Sequence, residues 1–286
     1  MLGIEWILLY GTLGGFVGFM GGLLGVGGGG ILVPLLASIF VYQGIGGDEV
    51  VHLSLGTSLI CMIISSTASI RAHASRDAVA WKVVRGMAPG IILGALLATH
   101  VAANLKSAYI ALFMALFMGL VAVQMFVNWK PKPSLKPITF RGLLTVGMAI
   151  GSISSLAAVG GGFLTVTYLS YKNIAMKKAV GTSAAIGLPI AISGTIGYMI
   201  SGWSKTLSDP YTIGFIYLPA FVAISIASFI AAPYGARWSH RLPEAYLKKI
   251  FAIVSLILSL TMLLSFGNCS TRVKLTKSEN HIEWTV

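Results

Sequence analysis

The sequence predicts an all-α, polytopic membrane protein made of two inverted repeats, each with a glycine-broken re-entrant helix hairpin plus three transmembrane helices. Three observations lead there. Long stretches lack Asp, Glu, Lys and Arg, two of them are too long for one crossing and carry glycine clusters, and the same landmarks recur in order in both halves. Only 10% of the 286 residues are charged and the mean hydropathy is +0.87, whereas soluble domains carry roughly 25% charged residues. A soluble globular protein is thereby excluded. The formal charge of +12, from 20 Lys+Arg against 8 Asp+Glu, would suit nucleic acid if it formed one patch. It is instead split into short clusters between apolar stretches, so the expected partners are the lipid bilayer and a small anionic substrate, not nucleic acid.

The uncharged stretches are 6–47, 50–70, 86–105, 107–129, 142–171, 179–204, 210–236 and 250–271. A crossing needs about 20 apolar residues, so six of them read as single spans. Stretches 6–47 and 142–171 are longer, and each contains a glycine run: Gly25-Val26-Gly27-Gly28-Gly29-Gly30 and Val159-Gly160-Gly161-Gly162. Glycine costs a helix about 1 kcal/mol per residue relative to alanine, so the helix should break at both runs. The apolar segments after the breaks, Ile31–Tyr42 and Phe163–Tyr171, reach about half a bilayer at 1.5 Å per residue. Each run therefore reads as the turn of a hairpin that enters the membrane and returns.

The halves match at Val26-Gly27-Gly28-Gly29 with Val159-Gly160-Gly161-Gly162, at Gly56-Thr57-Ser58 with Gly181-Thr182-Ser183, at Pro89 with Pro219, and at Leu105…Tyr109 with Leu242…Tyr246. This order implies a duplication. A first transmembrane repeat, 1–129, and a second, 142–267, are joined by a linker at 130–141 and followed by a polar tail at 268–286. Three spans per half would invert one repeat relative to the other. The basic residues agree: Arg71, Arg76, Lys82, Arg85, Lys172, Lys177, Lys178, Arg237, Arg241, Lys248, Lys249 and the linker's Lys130, Lys132, Lys136 and Arg141 fall on one face, against Lys106 and Lys205 on the other. The positive-inside rule makes the first face cytoplasmic, with the linker there and the protein in the inner cell membrane. The first apolar stretch lacks a basic leader and a small-residue cleavage pattern, so it is expected to be retained.

The paired glycine runs with Ile31-Leu32-Val33-Pro34, the repeated Gly-Thr-Ser, and Arg71-Ala72-His73-Ala74-Ser75-Arg76-Asp77-Ala78-Val79-Ala80-Trp81 before Pro89-Gly90 resemble the TauE/SafE family of membrane permeases over about residues 5–265. Thr167 stands where the second half would match Pro34. The resemblance implies export of sulfite or transport of organosulfur anions such as sulfoacetate.

Inverted repeats with broken helices near mid-membrane are a recurrent build of secondary transporters. The expected function is alternating-access transport of a small sulfur-containing oxyanion or organosulfonate. The substrate-binding residues expected are Gly27, Gly28, Gly29, Gly30, Gly160, Gly161 and Gly162, whose helix starts offer backbone N–H donors, together with the hydroxyls of Thr57, Ser58, Thr182 and Ser183. These two sets are expected to face each other across the repeat interface; the alternative is that the glycines allow close helix packing and the hydroxyls bond back to their own helices. Pro34, Arg71, His73 and Arg76 are candidates for gating or anion recruitment. His52 and His100 lie near span ends. No catalytic residue, cofactor or metal is expected: Cys61 and Cys269 are the only cysteines, and the chain has no Gly-x-x-x-x-Gly-Lys-Ser/Thr loop. An anion channel and an intramembrane enzyme are alternatives, but an enzyme would want a paired acid, a His-Glu-x-x-His helix or a Ser/His dyad, and none is evident.

Overall fold

The computed structural model describes residues 4–24, 27–127, 139–203, 205, 210–239, 241–242, 246, 249–250 and 252–261. Gly25, Val26, the linker lysines, Lys248, Cys269 and the tail lie outside the described residues. The first half comprises α1 (Ile4–Leu24), α2 (Gly29–Gln43), a 3-10 turn (Gly47–Glu49), α3 (Val50–Ala74), α4 (Trp81–Ala102) and α5 (Ser107–Val127). The second comprises α6 (Phe140–Ala157), α7 (Gly162–Tyr171), α8 (Met176–Gly202), the strands β1 (Thr212–Ile213) and β2 (Ile216–Tyr217), α9 (Leu218–Ser239) and α10 (Ala252–Thr261). Among the described residues, seven helices are long and apolar enough to cross a membrane: α1, α3, α4, α5, α6, α8 and α9.

Both glycine runs break the chain as the sequence predicts. Gly28 and Gly161, paired in the repeat alignment, precede α2 and α7 with φ of 76° and 68°, a left-handed conformation that a Cβ disfavours by roughly 1–2 kcal/mol. α2 starts at Gly29, earlier than the apolar run alone suggests, because glycines past the turn join its first turn. The arms of the first hairpin meet again at their far ends, where the Tyr10 hydroxyl donates to Gln43 Oε1 at 2.7 Å and the Trp6 and Tyr42 rings lie 6.0 Å apart. Both short helices close alike: Ile45 N–H bonds to the Phe40 carbonyl at 2.9 Å, and Ile174 N–H to the Leu169 carbonyl at 3.0 Å, the six-to-one bond of a Schellman ending.

α3 and α8 form the buried centre and pack on one another. Around them the packing repeats with the halves exchanged: α1 runs along α9 as α6 runs along α4, α3 touches α9 as α8 touches α4, and α2 lies on α3 as α7 lies on α8. The helix contacts are built on small residues. Gly14 and Gly18 meet the backbone of Ile224 and Ser228, and Gly147 and Gly151 meet that of Met87 and Ile91. Spacing by four keeps such residues on one stripe and lets the two backbones approach closely. Large apolar side chains such as Leu93, Leu97, Leu116, Leu120, Ile226 and Ile230 stand exposed on the outer faces, where a bilayer would cover them.

Two sequence expectations are corrected. Stretch 210–236 is not helical throughout: it opens with a two-residue antiparallel ladder, Thr212 opposite Tyr217 and Ile213 opposite Ile216, turned by Gly214. Nor do Pro89 and Pro219 occupy matching places, since Pro219 is the second residue of α9 while Pro89 lies well inside α4. Proline fits a first helical turn without losing a helix hydrogen bond, whereas within a helix it removes one.

Candidate functional site

The two breaks converge on the centre of the α3–α8 pair. A Cβ placed on Gly29 would lie 2.3 Å from the Ala158 carbonyl oxygen, and one on Gly30 would lie 2.7 Å from Val159 Cγ2. The start of α2 is therefore seated against the chain that turns from α6 into α7. Ser66 of α3 stands between the breaks: its Oγ is 3.0 Å from the Cβ position of Gly27 and 3.2 Å from that of Gly187 on α8, which itself abuts the Gly160 carbonyl. Ser65 fastens the first break by donating to the Gly27 carbonyl at 2.9 Å.

Polar groups at this centre are buried and unspent. Among the described residues, Ser66 Oγ, Ser154 Oγ at the end of α6 and Thr165 Oγ1 in the first turn of α7 are shielded from solvent and have no hydrogen-bond partner. Leaving such a group unpaired costs roughly 1–3 kcal/mol. Ile31 and Leu32 N–H bond the Gly28 carbonyl at 3.2 and 3.1 Å and Thr165 N–H that of Gly161 at 2.7 Å; the amides ahead of them open each helix with no acceptor one turn back, and the helix dipoles place partial positive charge at the same spot. Pro34, inside α2, has no N–H to offer the Gly30 carbonyl one turn back. The result is a low-dielectric centre rich in donors with no full charge, suited to an anion that must bind and leave.

The Gly-Thr-Ser motifs are used otherwise. Thr57 Oγ1 accepts the N–H of Tyr217, just before α9, at 2.9 Å, and Thr182 Oγ1 accepts that of Ala80, just before α4, at 2.9 Å. Beside them, a Cβ on Gly56 would lie 2.1 Å from the Phe215 carbonyl oxygen, and one on Gly181 would lie 2.2 Å from that of Ala78. Each glycine lets a segment of the other half pass against the helix, and each threonine pins that segment. Ser58 and Ser183 donate to Leu55 and Val180 of their own helices at 3.0 and 2.7 Å. The two motifs do not face each other, which corrects the sequence expectation. α3 and α8 run antiparallel, with Gly187 beside Ser66 and Gly194 beside Leu59. A motif at the same place in both helices consequently lands on opposite sides of the centre, about 20 Å apart along the pair by helical rise.

Arg71 and Arg76 are exposed at the C-terminal end of α3, whereas His73 is fully buried there. Arg76 Nη1 reaches the Ala236 carbonyl at 3.5 Å, tying the α3–α4 turn to the end of α9. The sequence reading missed Ser66, Ser154 and Thr165. Their signal was available: Ser66 belongs to the run Ser65-Ser66-Thr67-Ala68-Ser69 late in an uncharged span, and Ser154 precedes the second glycine run by a few residues. Hydroxyls alone do not disclose whether they bond to their own helix.

A bundle of membrane-length helices around two broken helices that meet at its centre is a build that recurs among membrane transporters. The comparisons carry this further. The family described as Sulfite exporter TauE/SafE matches residues 10–262, and the chain belongs to that family. A probable membrane transporter protein of Haemophilus influenzae is 32% identical over 91% of this chain and 99% of its own length. Another from Methanocaldococcus jannaschii is 26% identical, covering 92% of this chain and 98% of its own, and one from Bacillus subtilis is 25% identical, covering 86% and 96%. No solved structure matches the chain. It is thus a multi-pass membrane transporter and not an enzyme.

Proposed function

We propose that this transporter carries a small sulfur-containing oxyanion or organosulfonate, sulfite or sulfoacetate being representative, across the inner membrane by alternating access. The observation that carries the proposal is the convergence of the Gly27–Gly30 and Gly160–Gly162 breaks on Ser66, with Thr165 Oγ1 unpaired 3.1 Å from the Cβ position of Gly161 and Ser154, four residues before Ala158, also unpaired. Backbone amides and neutral hydroxyls can coordinate the oxygens of a tetrahedral or pyramidal anion. With no fixed cation at the centre, the anion is not trapped. Inverted halves supply the motion: when they exchange conformations, a site on their common axis is exposed first to one side and then to the other. The family description, which names sulfite, supports the cargo. Arg71 and Arg76 would raise the local anion concentration at the cytoplasmic end.

The test is binding of sulfite, sulfate, sulfoacetate and taurine to the purified protein, followed by counterflow of whichever is retained in proteoliposomes. A carrier accumulates labelled solute against an unlabelled internal pool. Passive equilibration without counterflow would establish a channel, and failure of all four to bind would remove the proposed cargo.

A further inference from the structure

At the end of the molecule opposite Arg71 and Arg76, the start of α3 holds a fully buried imidazole whose neighbours fix where its protons are. His52 Nε2 lies 3.0 Å from the Ala102 carbonyl at the end of α4. A carbonyl only accepts, so Nε2 carries a proton and donates it. Nδ1 lies 2.7 Å from Oε2 of Glu49, in the turn ahead of α3, and 3.1 Å from Ser107 Oγ at the start of α5. The Ser107 hydroxyl already donates its own proton to the Asp48 carbonyl at 2.5 Å, so it turns a lone pair toward the ring, as the carboxylate does. Nδ1 is therefore faced by two acceptors. A neutral ring with its one proton on Nε2 would set a third lone pair against them.

One added proton removes the conflict. On Nδ1 it makes an imidazolium that donates toward Glu49 and Ser107 while Nε2–H donates to Ala102, and all three contacts are met. On Glu49 it would bond to Nδ1 but leave Ser107 facing an acceptor, so the ring is the better seat. A buried charge is costly unless it is paired, and this one lies against a carboxylate. The other carboxylate oxygen, Oε1, takes the ammonium of Lys205 from the segment after α8, so lysine and proton are held together, one on each oxygen. Lys205 is further anchored by the Ala103 carbonyl at 3.2 Å and by the Phe215 ring at 5.7 Å. Phe215 stacks on His52 with centroids 5.2 Å apart, and Tyr198 of α8 lies 6.3 Å from Phe215. Among the described residues, Glu49 and Lys205 are the charged groups that these contacts bring to the ring. The Glu49 side chain is 24% exposed, which gives the buried ring a route for its proton to the aqueous phase at this end.

We infer that His52 and Glu49 form a proton-binding site, occupied in this conformation with Lys205 in place and with the proton on Nδ1, that ties the start of α3 to α4 and α5. Loss of the proton would turn both Nδ1 contacts from attractive to repulsive. The inference needs neither a particular cargo nor a transport cycle, so a failed sulfite assay leaves it standing. Full-length protein carrying isotope-labelled histidine, purified in detergent, is read by long-range proton–nitrogen correlation NMR at about pH 7.5, with His52→Gln identifying the His52 signals. At that pH a free imidazole is roughly one-tenth protonated and a free glutamate is ionised. The expected spectrum has both His52 nitrogens protonated in most molecules, a several-fold gain over the free ring, and Glu49→Gln should return the ring to the neutral Nε2–H form. If Glu49→Gln fails to fold, the parent spectrum decides. A neutral His52 in the parent, or an imidazolium that survives Glu49→Gln, overturns the site.

Discussion

Ser66 and Thr57 are both buried hydroxyl residues of α3, yet their surroundings give them opposite work. Ser66 has no partner, so Ser66→Ala removes an unpaired polar group and should leave thermal stability unchanged or slightly raised. If Ser66 touches the anion, the same change should weaken sulfite binding about tenfold or more, since a hydrogen bond to a charged group is worth roughly 1.5–3 kcal/mol. Unaltered affinity by titration calorimetry would remove Ser66 from the site. Thr57 instead satisfies a buried amide of the segment entering α9. Thr57→Val and Thr182→Val should each lose about 1–3 kcal/mol of stability while affinity in the folded fraction is retained. Thermal unfolding read beside binding checks the pair, and similar losses are expected because the two threonines hold matching segments in opposite halves.

At the scale of the elements, the two broken helices set how close the halves can come. Gly161→Ala strains one left-handed residue by roughly 1–2 kcal/mol, and its new methyl meets mainly the Ile190 side chain, which can give way. Gly29→Ala drives a methyl into the Ala158 carbonyl, a backbone atom of the opposing break. The expectation is that Gly29→Ala abolishes counterflow in protein that still inserts, whereas Gly161→Ala keeps a measurable fraction. Equal activity of both variants would mean that contact between the breaks is dispensable. The hairpins were legible beforehand because runs of three or more glycines oppose a helix through backbone entropy, whereas the pairs Gly14-Gly15 and Gly21-Gly22 are carried within α1. The β1–β2 ladder was not, since Thr212–Tyr217 is as apolar as the helix that follows, and two-residue strands leave no periodicity to read.

For the whole molecule, the arrangement predicts that the two ends of α3 lie on opposite sides of the membrane. The helix has 25 residues, about 37 Å at helical rise. In right-side-out vesicles of a cysteine-free variant, Tyr42→Cys should react with an impermeant maleimide and Ser75→Cys only after permeabilisation. Reaction of both from the same side would refute the proposed topology. The exchanged packing, α1 with α9 and α6 with α4, also means that neither half encloses the centre alone, so separately expressed halves should transport only when combined.

Composition and patterning alone determined that the chain lives in a membrane, where most of its helices run and where the two glycine runs break them. Those properties follow from burial of apolar surface in lipid and from the local backbone preferences of glycine, which need no knowledge of neighbours. Tertiary structure alone decided which hydroxyls are spent on the fold and which are left over, and that Lys205, distant in sequence, joins Glu49 and His52. The cause is the antiparallel packing of α3 on α8, which carries the two Gly-Thr-Ser motifs apart while bringing both glycine breaks to Ser66.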